Sequence, residues 1–245
     1  MRRRLAASLV FVLAALALTS VPAAAYSGGQ TGYDISWPQC GAAYPSGSFD
    51  IAIVGVTGGR AFTHNGCLAS EVGWAAAHPG YGLYLNLNAP VGSTASRGST
   101  GPAGTCRRGD KLCVSYNYGW NAAQDAWSYA VSSGASSAQW WLDVETTNSW
   151  TSNLSANARV VQGALDFLAG QQVAGAAVKA GVYSTTSQWG VIVGSAYRPQ
   201  SPVWYATAGS ATAASGYCSS SYAFTGGAVS LVQFGAAAFD GDLAC

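Results

Sequence analysis

The order of strand and helix signals along the chain most constrains its fold. Residues 49–57 form a nearly continuous apolar run, which is typical of a strand buried on both faces. Residues 81–88 alternate instead, with three leucines on one face and Tyr84, Asn86 and Asn88 on the other. That alternation predicts a strand with one polar face. Further strands are predicted at residues 32–37, 140–146, 181–185, 202–206 and 229–234.

Helical periodicity separates many of these strands. It predicts helices over residues 68–77, 116–131 and 188–193, and another that follows an N-cap at Ser155 and ends near Gly175. Strands that alternate with helices indicate a parallel α/β sheet or barrel. The helical signal is lost after residue 202, so the last strands are expected to lack helices.

The first 25 residues have the pattern of a secretory signal peptide. Arg2, Arg3 and Arg4 precede an apolar run over residues 5–18, and alanines occupy residues 23–25. We expect cleavage there, a secreted protein and one mature domain over residues 26–245. The arginines leave twin-arginine export open as an alternative route. No later run is long and apolar enough for a bilayer span, so no membrane association is expected after cleavage.

The composition of the mature chain argues against one class of partner and suggests another. Eight basic residues remain against ten acidic ones once the three N-terminal arginines are removed, which argues against nucleic acid. Charged residues make up 9% of the chain and aromatic residues 12%, so much of the polar surface must be uncharged. Such a surface suits a secreted protein that handles carbohydrate. We expect a monomer.

Six cysteines in an exported chain predict disulfides. Of the 15 possible connectivities, we favour the pairing of neighbours along the chain: Cys40–Cys67, Cys106–Cys113 and Cys218–Cys245. No Cys-x-x-Cys pair is present, and His64 and His78 lack ligand spacing, so no metal site is predicted.

The strongest chemical signal is Trp-Trp-Leu-Asp-Val-Glu-Thr at residues 140–146. In a strand, Trp141, Asp143 and Glu145 share one face. Two neighbouring carboxylates on an apolar strand repel each other and lose hydration, which stability does not require. The pair is typical of acid/base chemistry. The structural alternative is a loop-capping carboxylate beside an ion-paired one, for which the chain offers few basic residues.

Five motifs extend over nearly the whole mature chain. They are Gly-Tyr-Asp-Ile-Ser-Trp-Pro-Gln at residues 32–39, Leu-Asp-Val-Glu at 142–145, Gly-Val-Tyr-Ser at 181–184, Val-Trp-Tyr-Ala at 203–206, and Leu-Val-Gln-Phe with Phe-Asp-Gly-Asp at 231–242. In this order and spacing they resemble glycoside hydrolase family 25, the lysozyme-type muramidases. The resemblance implies an α/β fold, a single irregular TIM-like (β/α) barrel. Val232 and Phe234 depart from the family's Trp and Tyr, and the cysteine-bearing segment 90–113 is an insertion.

The resemblance also implies roles for individual residues. Glu145 would be the general acid, with a pKa raised by its surroundings, while Asp143 would stay ionised. Asp143 would stabilise positive charge at the anomeric carbon or orient the substrate acetamido group. Substrate contacts are expected from Asp34, Asp242, Tyr183, Trp204, Gln233 and Asn86. Their structural alternatives are turns for the aspartates, core packing for the aromatic residues and backbone hydrogen bonds for Asn86.

These features favour a secreted glycoside hydrolase that cleaves cell-wall peptidoglycan without a cofactor. Two alternatives remain open: a non-catalytic relative that binds wall glycan, and a hydrolase of another extracellular polysaccharide. Other enzyme classes fit less well, since the chain has no Gly-x-Ser-x-Gly elbow and no phosphate-binding Gly-x-x-x-x-Gly-Lys motif.

Overall fold

The computed structural model describes residues 26–206, 209–236 and 238–245. The predicted signal peptide, residues 1–25, lies outside the described residues. Eight strands close into a barrel: β1 Thr31–Ile35, β2 Ile51–Gly55, β3 Gly80–Asn86, β4 Gln139–Asp143, β5 Lys179–Ser184, β6 Val203–Tyr205, β7 Val229–Ala236 and β8 Phe239–Ala244. Neighbouring strands are parallel, except that β8 lies antiparallel between β7 and β1. The predicted single α/β barrel is confirmed.

The α-helices pack outside the barrel. They are α1 Leu68–Ala75, α2 Lys111–Ser132, α3 Leu154–Ala169, α4 Thr186–Ile192 and α5 Ala211–Ala214. Four 3₁₀ turns occupy Trp37–Gln39, Gly92–Gly98, Ser215–Tyr217 and Ser220–Tyr222. Two small hairpins pair Thr100–Gly101 with Gly104–Thr105 and Gln172–Val173 with Ala176–Ala177. Past β6 only short helical segments remain, as expected from the loss of helical periodicity.

Each barrel strand divides its side chains between two cores. Residues such as Leu83, Leu85 and Leu142 face the helices and belong to the outer core. Trp141, Trp204 and other inward-facing residues fill the interior of the barrel. This division follows from the two-residue period of a strand, and it confirms the predicted faces of residues 81–88 and 140–144.

Helices α2 and α3 cross at short range because each contributes a glycine that lies against the backbone of the other helix. A Cβ at Gly119 would lie 1.8 Å from the carbonyl oxygen of Val160, and one at Gly163 would lie 2.1 Å from that of Tyr116. No larger residue fits at either point. The close crossing holds both helices against β4, whose carboxyl end carries Asp143.

Several predicted boundaries differ from the structure. Helix α3 begins after Asn153, whose side-chain oxygen accepts a hydrogen bond from Ala156 N at 3.0 Å, so Ser155 is not the N-cap. The same helix ends at Ala169, and the hairpin of residues 172–177 replaces its predicted last turns. Asp110 similarly caps α2 and starts it five residues earlier than predicted. In both helices, a side-chain oxygen that caps an earlier position sets the start of the helix and outweighs the apolar spacing.

The last strand, β8, was not predicted at all. Asp240 and Asp242 flank Gly241, a sequence typical of a turn. In the structure, this segment pairs with β1 on one side and β7 on the other, and completes the barrel. Pairing on both edges satisfies the backbone of β8 and overrides its local turn preference.

The cysteines form the three disulfides predicted from the sequence, Cys40–Cys67, Cys106–Cys113 and Cys218–Cys245. The first ties the turn after β1 to the start of α1, and the last joins β8 to the segment before β7. Among the helices of the described ranges, none combines the length and apolar character that a bilayer crossing requires.

Candidate active site

An acidic cavity opens at the carboxyl ends of the barrel strands, the end at which barrels of this kind place their active sites. Every barrel strand except β2 contributes at least one lining residue, either from the strand itself or from the loop after it. The cavity is lined by Asp34, Ile35, Ser36, Pro38, Gln39, Tyr84, Asp143, Glu145, Tyr183, Trp204, Gln233 and Asp240. Four of these are acids, and the lining contains no lysine, arginine or histidine.

Asp143 and Glu145 occupy the end of β4 and the turn beyond it. Asp143 is the last residue of the strand and is buried, whereas Glu145 is half-buried. The main chain at Glu145 is held by Trp150, whose indole N–H donates to the Glu145 carbonyl at 2.8 Å. The Gln188 side chain donates to Glu145 Oε2 at 3.5 Å and accepts from Thr146 N at 2.6 Å. Trp150 thus holds the main chain at Glu145, and Gln188, in the first turn of α4, positions its carboxyl group.

Amide groups surround the carboxyl group of Asp143. Asn86 Nδ2 donates to Asp143 Oδ2, and Asn148 Nδ2 donates to Oδ1 at 3.4 Å. The orientation of the Asn86 amide is fixed in turn, because Thr57 Oγ1 donates to its Oδ1 at 2.6 Å. Asn86 does not line the cavity itself. Its position indicates that it supports Asp143 rather than contacting a ligand.

A second hydrogen-bond chain crosses the cavity between β5, β7 and β1. Tyr183 OH donates to Gln233 Oε1 at 2.7 Å, and Gln233 Nε2 donates to Asp34 Oδ2 at 3.0 Å. The donor pattern fixes the orientation of the glutamine amide. Three residues predicted from separate motifs are therefore joined in one network.

Burial and mutual repulsion raise the pKa values of these acids. Burial raises the pKa of Asp34 to about 8, although the hydrogen bond from Gln233 opposes the shift. Burial, and then the nearby Glu145, raise the pKa of Asp143 well above its usual value. The pKa of Glu145 is also raised by burial. Burial therefore opposes the expected ionised state of Asp143, while its two amide donors favour that state.

Two predicted substrate-binding residues lie deeper than expected. Asp242 is fully buried and does not line the cavity, and its Oδ1 accepts a hydrogen bond from Trp204 Nε1 at 2.8 Å. Trp204 forms part of the cavity wall but is only 2% exposed. Asp242 is thus placed to support Trp204, and Trp204 to shape the floor of the cavity.

Sequence reasoning did not single out Tyr84 and Asp240 as site residues. Tyr84 lies on the predicted polar face of β3, two residues before Asn86, and that alternation was a usable signal. Asp240 precedes Asp242 by two residues on β8, so both point into the barrel once the segment is recognised as a strand. Within the described residues, no group of three or more His, Cys, Asp or Glu side chains is arranged to hold a metal ion.

Comparisons with known proteins agree with this architecture. The family model Lys-1, described as Lysozyme-like protein 1, matches residues 112–225, a segment that contains Asp143 and Glu145. The structure is similar to a muramidase from Acremonium alcalophilum, with a TM-score of 0.55 and 16% identity over 88% of this chain and 93% of that one. The predicted resemblance to lysozyme-type proteins is confirmed.

Two further lysozyme-like similarities come from solved structures. The bacterial lysozyme from Streptomyces coelicolor gives a TM-score of 0.51 and 16% identity over 89% of this chain and 93% of that chain. The CTP1L endolysin gives 0.55 and 15% over 88% of this chain and 66% of the endolysin. No curated protein sequence matches. The lysozyme-like family match, together with the muramidase-like fold, supports a glycoside hydrolase.

Proposed function

We propose that the protein is a secreted glycoside hydrolase that cleaves peptidoglycan between N-acetylmuramic acid and N-acetylglucosamine. The observation that carries the proposal is the pair Asp143 and Glu145 at the carboxyl end of β4, inside a cavity with two further acids and no cationic lining residue. Without cationic neighbours to stabilise the ionised form, burial and the other acids raise the pKa values of the carboxyl groups above those in water. An acid that holds a proton near neutral pH is what cleavage of a glycosidic bond needs.

Glu145 is the proposed general acid. Its carboxyl proton passes to the glycosidic oxygen as the bond to the anomeric carbon breaks, and the bonding electrons leave with that oxygen. The raised pKa of Glu145 supports this role, since a group with its ordinary pKa would hold little proton at neutral pH. Water then adds to the anomeric carbon and returns a proton to Glu145.

Asp143 is proposed to act on the positive charge that develops at the anomeric carbon. It either stabilises that charge directly or orients the substrate acetamido group, whose oxygen then attacks the anomeric carbon. A neighbouring positive charge lowers the pKa of a carboxyl group. The amide donors Asn86 and Asn148 stabilise the ionised form of Asp143 at the same moment.

The remaining cavity residues are proposed to bind the sugar. Asp34, Tyr183 and Gln233 present a continuous chain of hydrogen-bonding groups on the wall formed by β1, β5 and β7. Pyranose hydroxyls are both donors and acceptors, so they can replace members of such a chain. Trp204 closes the floor beneath them, and Asp242 holds its indole in place.

Export and a monomeric state complete the proposal. The signal-like pattern of residues 1–25 and three disulfides support a secreted protein, because disulfides persist in oxidising surroundings. A secreted enzyme of this kind would meet its polysaccharide outside the membrane, with neither a nucleic-acid partner nor a cofactor.

The test is reducing-sugar release from purified peptidoglycan by the mature protein and by Glu145→Gln. Loss of a general acid should lower the rate ~100-fold or more, because such a group contributes 10²–10⁴-fold. Asp125→Asn, the same kind of change at a residue outside the cavity, should leave release unchanged. Equal release by wild type and Glu145→Gln would refute the assignment. Binding to peptidoglycan without release by the wild type would indicate a glycan-binding protein instead.

A further inference from the structure

Trp37 is the most exposed of the tryptophans, all of which lie within the described residues. It is 50% exposed, whereas Trp140, Trp141, Trp189 and Trp204 are at most 2% exposed. The indole N–H groups of Trp140, Trp150, Trp189 and Trp204 all donate within the protein. Among the described residues, none accepts a side-chain hydrogen bond from Trp37 or stacks an aromatic ring on it. The exposed half of the indole ring leaves apolar surface in water, and that surface does not stabilise the fold.

Trp37 lies at the rim of the catalytic cavity. It begins the 3₁₀ turn Trp37–Gln39 that follows β1, and its neighbours Ser36, Pro38 and Gln39 all line the cavity. The indole lies over Gly59, where an added Cβ would come within 3.1 Å of Nε1. Gly59 belongs to the loop after β2, and Thr57 of the same loop holds the Asn86 amide that contacts Asp143. The ring therefore lies at the end of the barrel that carries the proposed reaction centre.

The turn that carries Trp37 is rigid. Ser36 N donates to the Gln39 side chain at 2.9 Å, and Gln39 N donates to the Ser36 carbonyl at 2.8 Å. Pro38 restricts the backbone, and the disulfide Cys40–Cys67 joins the end of the turn to α1. A ring held in this way loses little conformational freedom when a ligand covers it, which favours binding.

We propose that Trp37 is the stacking platform of an outer subsite that binds a pyranose ring of the glycan next to the sugars in the cavity. The inference rests on the proposed function, since a polymer cleaved within the cavity must leave across its rim. The apolar C–H face of a pyranose matches the flat face of an indole, and the sugar hydroxyls stay in water at the ring edge. The residues on either side of Trp37 in the chain, Ser36 and Pro38, both line the cavity.

The test measures binding of N-acetylglucosamine oligomers by calorimetry in the Glu145→Gln background, where turnover does not interfere. We expect Trp37→Ala to weaken binding of the tetramer ~10-fold and that of the dimer less, and Trp37→Phe to keep most of the affinity. The control is Val131→Ala, which removes another exposed apolar side chain at the far end of α2 and should leave both dissociation constants unchanged.

Equal tetramer affinity with and without the indole would overturn the inference, even if the wild type hydrolyses peptidoglycan. Failure of the Glu145→Gln protein to bind the tetramer would overturn it as well. A tetramer affinity that depends on Trp37 in a protein whose wild type releases no reducing sugar would support the subsite and refute the hydrolase. The two proposals can therefore fail separately.

Discussion

At the scale of single residues, Asp242 combines a satisfied and an unsatisfied oxygen in one buried side chain. Oδ1 accepts the Trp204 indole N–H at 2.8 Å, while Oδ2 has no hydrogen-bond partner among the described residues. Burial raises the pKa of this carboxyl group well above its usual value, and the nearby Asp34 raises it further. A neutral acceptor is sufficient for the Trp204 N–H, so we expect the fold not to require the negative charge of Asp242.

Substitutions at Asp242 should separate the acceptor from the charge. Asp242→Asn keeps an oxygen for Trp204 and should change the free energy of unfolding by less than ~1 kcal/mol. Asp242→Ala leaves the buried indole N–H unpaired and should lower the free energy of unfolding by ~1–3 kcal/mol. Urea denaturation measures both values. If the asparagine variant is as unstable as the alanine variant, the charge itself is required.

At the scale of elements, the packing of α2 on α3 depends on backbone contact rather than on large side chains. Gly119 of α2 lies against the Val160 carbonyl group of α3, and Gly163 of α3 lies against the Tyr116 carbonyl group of α2. The apolar spacing of residues 116–131 predicted the existence of α2 but not this contact. Only ten residues separate the end of β4 from the start of α3, so the crossing also anchors the loop that carries Glu145.

Two alanine substitutions in helices should have opposite effects. Gly119→Ala places a Cβ 1.8 Å from the Val160 carbonyl oxygen, so the helices must separate, and unfolding should become easier by ~1–3 kcal/mol or more. Gly73→Ala, in α1, meets no atom within 4 Å and should stabilise the protein by ~0.5–1 kcal/mol through helix propensity. Thermal unfolding compares them. Equal effects would mean that the crossing is loose enough to accept a methyl group.

At the scale of the whole molecule, the buried acids make stability depend on pH. The folded protein raises the pKa of Asp34 to about 8, from an unfolded value near its ordinary ~3.9. The folded state therefore binds protons more strongly than the unfolded state between these two values. The stability associated with Asp34 is fully present below pH ~4 and is lost as the pH rises toward 8. The acids that serve the proposed reaction thus destabilise the fold at neutral pH.

Removal of one acid should reduce this pH dependence. Asp34→Asn should be more stable than the wild type at pH 8, and its advantage should shrink steadily as the pH falls to 4, because the folded wild type binds a proton at Asp34 in this range and the unfolded chain does not. Below pH ~4 both states are protonated and the difference should level off. The free energy of unfolding of both proteins, measured by urea denaturation across this range, gives the comparison. A constant difference in the free energy of unfolding between the two proteins would show that Asp34 does not titrate in this range. Separately, Asp34→Asn should lose peptidoglycan hydrolysis, because the acid that destabilises the fold is proposed to serve the reaction.

Local patterns determined the parts of this protein that depend on neighbours in sequence. The two-residue period of residues 81–88 and 140–144 was enough to divide their side chains between barrel interior and outer core. It placed Asp143 among the inward-facing residues. Cysteine order was enough for the three disulfides, and the spacing of motifs for the lysozyme-like resemblance. These features follow from strand geometry and chain connectivity, which a sequence expresses directly.

Only the tertiary structure decided how distant segments meet and in which direction the pKa values of the buried acids shift. Gln233 joins Tyr183 to Asp34, a residue 199 positions away, and this bridge exists because β8 closes the barrel between β7 and β1. The same closure turned Asp240 toward the cavity and buried Asp242. The pKa of Asp143 depends on the sum of burial, two neighbouring acids and two amide donors. Desolvation and charge repulsion act through space, so no local pattern could have given their balance.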